Sequence, residues 1–184
     1  MAFEPNISVV AQIGAGFLAV MPKPTTGEWI EEEFANISAF GIHQVVSLME
    51  LDEAADVDLQ DESQLCQANG MRFVSYPICD RGLPSSLNDF ARFTYELFRE
   101  IEAGTNTVVH CLAGIGRSGI VSGAVLVHSG MDAEEAFAQI SQARGLRVPD
   151  TEQQRDWLVR HQSAIKSEPQ NKGRQATASP SPAT

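Results

Sequence analysis

Apolar and polar positions alternate from the start of the chain: Ile7, Val9, Ala11 and Ile13 stand between Ser8, Val10, Gln12 and Gly14, the period-two pattern of a strand. Gly16 to Met21 reads as a second strand, and Pro22-Lys23-Pro24-Thr25-Thr26-Gly27 then interrupts regular structure. From Glu28 to Phe40 the spacing changes to that of a helix, with Ile30, Phe34 and Ile37 on one stripe and Gly41 as the stop. Val45 to Met49 is a short apolar run of buried-strand type. The polar stretch Glu50 to Ala68 predicts a helix ended by Asn69-Gly70, and Met71 to Tyr76 the next strand. Leu87, Phe90, Leu97 and Ile101 predict a helix capped by Ser85 or Ser86 and closed by Gly104. Thr107 to His110 is strand-like, and Ile120, Ala124 and Val127 mark a buried helix that ends at Gly130. Asp132 and Glu135 have capping-box spacing ahead of Phe137 and Ile140, and Thr151 to Ile165 is the last helix. Trp29 and Trp157 fall on helical apolar faces and read as core.

Strands alternating with helices predict an α/β fold: a single domain with a central, mostly parallel sheet of about five strands, flanked by helices on both faces. We place that domain at residues 1–165. Residues 166–184 lack periodicity and aromatic residues but contain Pro169, Pro180 and Pro182, so a disordered tail is expected there. Ligands of such sheets sit beyond the carboxyl ends of the strands, which directs attention to the segment after Val109.

Charge and cysteine usage narrow the chemistry. The chain has 184 residues, 13 Lys+Arg against 24 Asp+Glu, and a formal net charge of -11. Such a chain has no field with which to hold nucleic acid or an anionic membrane by charge alone, and an anionic substrate must be gripped by short-range donors. The apolar run Ile7 to Met21 is too broken and short to span a bilayer, and with Glu4 and no basic residue ahead of it no secretory signal is expected. Cys66, Cys79 and Cys111 are widely spaced and odd in number, which predicts neither a disulfide framework nor a metal knuckle; the expected setting is cytoplasmic. No metal or organic cofactor is expected, and neither is an oligomer.

The chemistry concentrates in Val108-Val109-His110-Cys111-Leu112-Ala113-Gly114-Ile115-Gly116-Arg117-Ser118-Gly119-Ile120. A buried strand runs into a short loop, and an apolar helix begins at once. The glycines let the backbone fold inward with its N–H groups converging, an anion nest at a helix N-terminus. The amides of Leu112, Ala113, Gly114, Ile115, Gly116 and Arg117 would hold phosphate, and the planar fork of Arg117 would grip two of its oxygens. Cys111 among those dipoles is favoured as thiolate, a nucleophile held against phosphorus. His110 is placed to orient the loop, and Ser118 to donate a hydrogen bond to the departing sulfur. A structural cysteine in a glycine-bearing turn is the bland alternative, but chance agreement with His, Cys, Gly, Arg and Ser at this spacing is about one in ten thousand at ordinary residue frequencies.

His-Cys-x-x-Gly-x-x-Arg-Ser resembles the signature of the cysteine-dependent protein tyrosine phosphatase superfamily. Chain size points to its dual-specificity and bacterial tyrosine-phosphatase-like branch, and the loop spelling Gly-Ile-Gly-Arg-Ser is similar to that of the cyclin-dependent-kinase-associated phosphatase group. The likeness covers about residues 15–165. It implies hydrolysis of phosphotyrosine, with or without phosphoserine and phosphothreonine, in a protein or peptide through a phosphocysteine intermediate. It also implies a general acid on a separate loop, and Asp80 in Tyr76-Pro77-Ile78-Cys79-Asp80-Arg81-Gly82-Leu83-Pro84 fits, with Asp89 as competitor. Gln154, or Gln153 beside it, resembles the glutamine that positions water in relatives, although Thr151 and Gln154 also have capping-box spacing. Glu53 resembles an acidic residue that braces the signature arginine. Arg144 and Arg147 are candidates for the phosphate mouth, and Cys79 either approaches Cys111 or is a plain buried cysteine. Inositol-phosphate or phosphoinositide hydrolysis shares this chemistry and is the alternative, weakened by the apolar Leu112, Ala113 and Ile115. A non-catalytic phosphate-binding module and a rhodanese-like sulfur transferase fit the motif less well.

Overall fold

The computed structural model describes residues 4–167. Its elements in chain order are β1 (Ser8–Ile13), β2 (Gly16–Met21), α1 (Ile30–Ala39), β3 (Gln44–Ser47), α2 (Leu51–Asp56), α3 (Glu62–Ala68), β4 (Arg72–Ser75), α4 (Leu87–Glu102), β5 (Thr107–His110), α5 (Arg117–His128), α6 (Ala133–Arg144) and α7 (Glu152–Lys166). The sheet has five strands in the order β1-β2-β5-β3-β4. Only the β1–β2 hairpin is antiparallel; β5 pairs in parallel with both β2 and β3, and β3 with β4. This is the α/β architecture the alternating elements predict. The expected tail lies outside the described residues save for Lys166, the last residue of α7, and Ser167.

Every residue of β3 and β5 is buried, so both faces of the sheet centre are covered. Strand alternation divides their side chains between two cores. Val46 and Val109 pack with α4, α5, α6 and α7, while Val45 and Val108 pack with Phe34, Ile37 and Cys66 of α1 and α3. Helix α5 is buried from Arg117 to Val127, which explains why it carries glycines that cost helix propensity: a Cβ on Gly119 would stand 2.5 Å from Val148 Cγ1. Among the described residues no helix is long and apolar enough to cross a membrane.

Three local expectations change. The first helix opens with a 3-10 turn over Gly27–Trp29, and Trp29 is 53% exposed, because it precedes the Ile30–Phe34–Ile37 stripe and points away from it. The Glu50–Ala68 stretch forms two helices: Asp58 takes a positive φ of 59°, which breaks the chain and drops Leu59 into the second core. Cys79 is exposed, since Ile78 takes the buried seat at the strand end and the chain turns outward after it.

Candidate active site

β5 ends at His110 in the centre of the sheet, and α5 starts at Arg117. The loop between them is fixed from outside by its carbonyls. Cys111 O faces the His110 ring at 3.3 Å, Leu112 O accepts from the Lys23 amide at 3.0 Å, and Ala113 O and Gly114 O each accept from the Arg144 guanidinium at 3.2 Å. In a trans peptide the N–H points opposite to the C=O. Four consecutive carbonyls tied to groups outside the loop leave the following amides facing the other way, the backbone geometry that an anion nest requires. Gly114 makes the tight fit possible: its φ is +69°, and a Cβ there would lie 2.4 Å from Met21 O at the end of β2.

Cys111 sits at the bottom, 3% exposed. Burial alone would push its thiol up. The Ser118 hydroxyl (Oγ 3.5 Å from Sγ), the amides of Ser118 and Ile115 and the charge of Arg117 outweigh burial and hold the thiol below its ordinary value. Cys66, buried in the second core next to Glu62, is pushed up to about 12. Two thiols in one chain are thus separated by environment alone. In an iodoacetamide titration with peptide mapping, we expect the alkylation rate of Cys111 to have its midpoint at a pH below 9.0, the ordinary thiol value. Ser118→Ala should move that midpoint upward, and a midpoint at or above 9.0 in the native chain would contradict the thiolate assignment.

Arg117 is 2% exposed and held by acceptors on four residues, Leu48, Glu53, Ile78 and Asp80. Its two Nη atoms meet the two Glu53 oxygens at 2.6 Å each; Nη1 also donates to Ile78 O at 3.1 Å, and Nη2 to Asp80 Oδ1 at 3.0 Å. The bond from Arg117, chiefly, holds the Glu53 carboxyl below the usual range. The Glu53–Arg117 brace drawn from the family resemblance is therefore present. Asp80 is 61% exposed at the rim. It lines one cleft of about 170 Å³ together with Cys111, Arg117, Leu112, Ala113, Ile115 and Gly116. Asp89 instead pairs with Arg92 on the surface of α4.

The remaining candidates divide. His110 is fully buried with Nε2 2.7 Å from Glu62 Oε1. Burial works against its charged form, but Glu62, with the Cys111 carbonyl, raises it above the ordinary value, and the ring is held between the two. Gln154 is buried beside Gly116 and also makes the capping box of α7. Arg144 reaches the loop's carbonyls rather than the cleft, and Arg147 pairs with Glu152 at the surface. Cys79 donates from its thiol to Glu50 at 3.4 Å, and that bond raises it. Glu62, Arg81 and Asp150 went unnoticed in the sequence. Arg81 and Asp150 line the cleft mouth, 3.5 Å apart, and the only local signal was the turn chemistry around each.

Comparison with known proteins agrees with this geometry. Residues 19–131 match the family described as Tc-R-P, polymorphic toxin system, DSP-PTPase phosphatase. A putative tyrosine phosphatase 197R of Invertebrate iridescent virus 6 is 25% identical over 147 residues, covering 74% of this chain and 53% of the viral protein, so the chain spans about half the length of that relative. In fold the chain is similar to kinase-associated phosphatase, solved with serine in place of its catalytic-site cysteine, at a TM-score of 0.78 and 19% identity over 91% of this chain and 99% of that one. It is also similar to PTPMT1 in complex with PI(5)P, at a TM-score of 0.69 and 17% identity over 87% and 96% of the two chains.

Proposed function

We propose, for a chain that belongs to the DSP-PTPase phosphatase family, that it hydrolyses phosphotyrosine, with or without phosphoserine and phosphothreonine, in proteins or peptides through a phosphocysteine intermediate. One observation carries this reading: the Cys111 sulfur lies at the focus of the Ser118 hydroxyl, the Ser118 and Ile115 amides and the Arg117 charge, at the floor of an open cleft.

A phosphate dianion entering the cleft takes the inward amides and competes with Asp80 for Arg117, whose grip on Glu53 keeps the guanidinium in place. Released from Arg117, the Asp80 carboxyl at the rim is the group placed to serve as proton donor. Sγ attacks phosphorus as the bond to the ester oxygen breaks, and Asp80 gives its proton to that oxygen. Asp80, now a carboxylate, takes a proton from water as the water oxygen attacks phosphorus. The S–P bond breaks, inorganic phosphate leaves, and the Ser118 hydroxyl receives the thiolate. No step in this sequence uses a metal or an organic cofactor.

Asp80→Asn is expected to lower kcat/KM for phenyl phosphate, whose phenolate needs a proton, by about 10²-fold, and kcat/KM for p-nitrophenyl phosphate several-fold less. Equal losses on the two esters would remove Asp80 from the acid role. Turnover of p-nitrophenyl phosphate by the native chain, inhibited by vanadate, tests the function as a whole; a chain that leaves this ester intact is not the enzyme described.

A phosphoinositide substrate is the competing reading, since the PTPMT1 fold was solved with PI(5)P. The cleft mouth speaks against it: Leu112 is exposed and apolar, and the carboxylates of Asp80 and Asp150 line it. A phosphopeptide panel run beside PI(5)P decides between them.

A further inference from the structure

The loop that carries Asp80 is fastened on two sides. Toward the cleft, Asp80 accepts from Arg117. Away from it, the loop is tied to the segment that leads into α7. Cys79–Gly82 closes as a tight turn, with Gly82 N donating to Cys79 O at 2.8 Å, and Arg81 inside it has a φ of +55°, a conformation uncommon for a residue with a side chain. Gln154 Nε2 donates to Gly82 O at 3.2 Å, and Arg81 Nε lies 3.5 Å from Asp150 Oδ2. The Arg81–Asp150 pair is exposed on both sides and weak by itself. Gln154 is fully buried and its amide is engaged at both ends: Oε1 accepts from Thr151 N at 3.3 Å, closing the capping box, while Nε2 holds Gly82.

We infer that Gln154 is a positioning residue for the acid loop, with Arg81–Asp150 as an outer tie. By fixing the Gly82 carbonyl two residues from Asp80, it sets where the carboxyl stands over the phosphate. The role is additional to the water-positioning one that the family resemblance implies: the two bonds this amide makes run to Thr151 and to Gly82 of the acid loop. It rests on the reading of Asp80 as general acid. A small misplacement of a catalytic group has a large effect on rate, so a modest hydrogen bond remote from phosphorus suffices to matter.

The two duties of Gln154 can be separated. Gln154→Glu keeps an oxygen for the Thr151 amide, glutamate being a usual capping-box partner, but removes the N–H that faces Gly82. Because Gln154 is fully buried, the carboxylate put there faces the Gly82 oxygen and is expected to lower the thermal midpoint, so both esters are assayed well below the variant's own midpoint. The kcat/KM for phenyl phosphate is expected to fall roughly tenfold, and that for p-nitrophenyl phosphate less than about threefold, the signature of a weakened proton donation. Asp150→Asn, which loosens Arg81, should shift the ratio of the two esters in the same direction by a smaller factor, and it decides the matter if the glutamate variant does not fold. Equal losses on both esters in these variants, or no loss in a folded one, overturn the tether. If Asp80→Asn itself fails to separate the esters, the acid assignment has failed; if Asp80→Asn separates them and neither tether variant does, only the tether has.

Discussion

Cys111→Ser is expected to cut turnover of p-nitrophenyl phosphate by roughly 10³-fold or more while leaving the phosphate cradle in place. The environment that draws the Cys111 thiol below its ordinary value favours an anion on a soft, polarisable sulfur. A serine hydroxyl in the same seat stays protonated, and no group placed near Sγ is a general base: His110 faces Glu62 and its own loop, and Asp80 sits at the rim. Substrate recognition draws on other groups, namely the inward amides and Arg117. Isothermal titration with a phosphotyrosine peptide should therefore show binding by the serine variant at close to native strength. Residual turnover within about tenfold of native would mean that the sulfur is not the nucleophile.

Arg117→Lys should lower kcat/KM for the same ester by about 10²–10³-fold, the scale on which loss of one preorganised donor to a developing oxyanion is felt. Charge is conserved in this variant; geometry is not. The guanidinium meets both Glu53 oxygens at 2.6 Å and still reaches Ile78 O and Asp80. An ammonium is a point charge without the fork, so one that pairs with Glu53 no longer presents an edge to two phosphate oxygens. Circular dichroism should show the variant folded, since Glu53 keeps a cationic partner. A folded variant with kcat/KM within tenfold of native would show that the bidentate grip is dispensable.

The nucleophile loop was legible in the sequence because its chemistry is local. Cys111, the glycines, Arg117 and Ser118 are contiguous, so spacing alone encodes their geometry. The five strands were legible for a similar reason, each being a short apolar run between breakers. Asp80 needed more, namely a strand end followed by turn residues and a family to compare with. What stayed hidden depends on segments that meet only in the folded chain. Glu62 lies in a polar stretch that reads as a wet helix face, yet it is buried against His110. Arg144, a candidate for the phosphate mouth in the sequence, instead holds two carbonyls of the loop. Trp29 was misplaced because helical periodicity was extended over a turn of different pitch.

The cradle is gripped from three directions: by Lys23 from the end of β2, by Glu62 of α3 through His110, and by Arg144 at the end of α6. Arg144 and Gln154 both lie beyond residue 131, where the family match stops. The stretch that spells the signature is accordingly shorter than the stretch that keeps it in shape. A grafted or truncated version ending at that boundary would carry every letter of the motif and keep Lys23 and Glu62 but lose Arg144 and Gln154, so the smallest portable unit of this phosphatase domain has to extend through the first turn of α7.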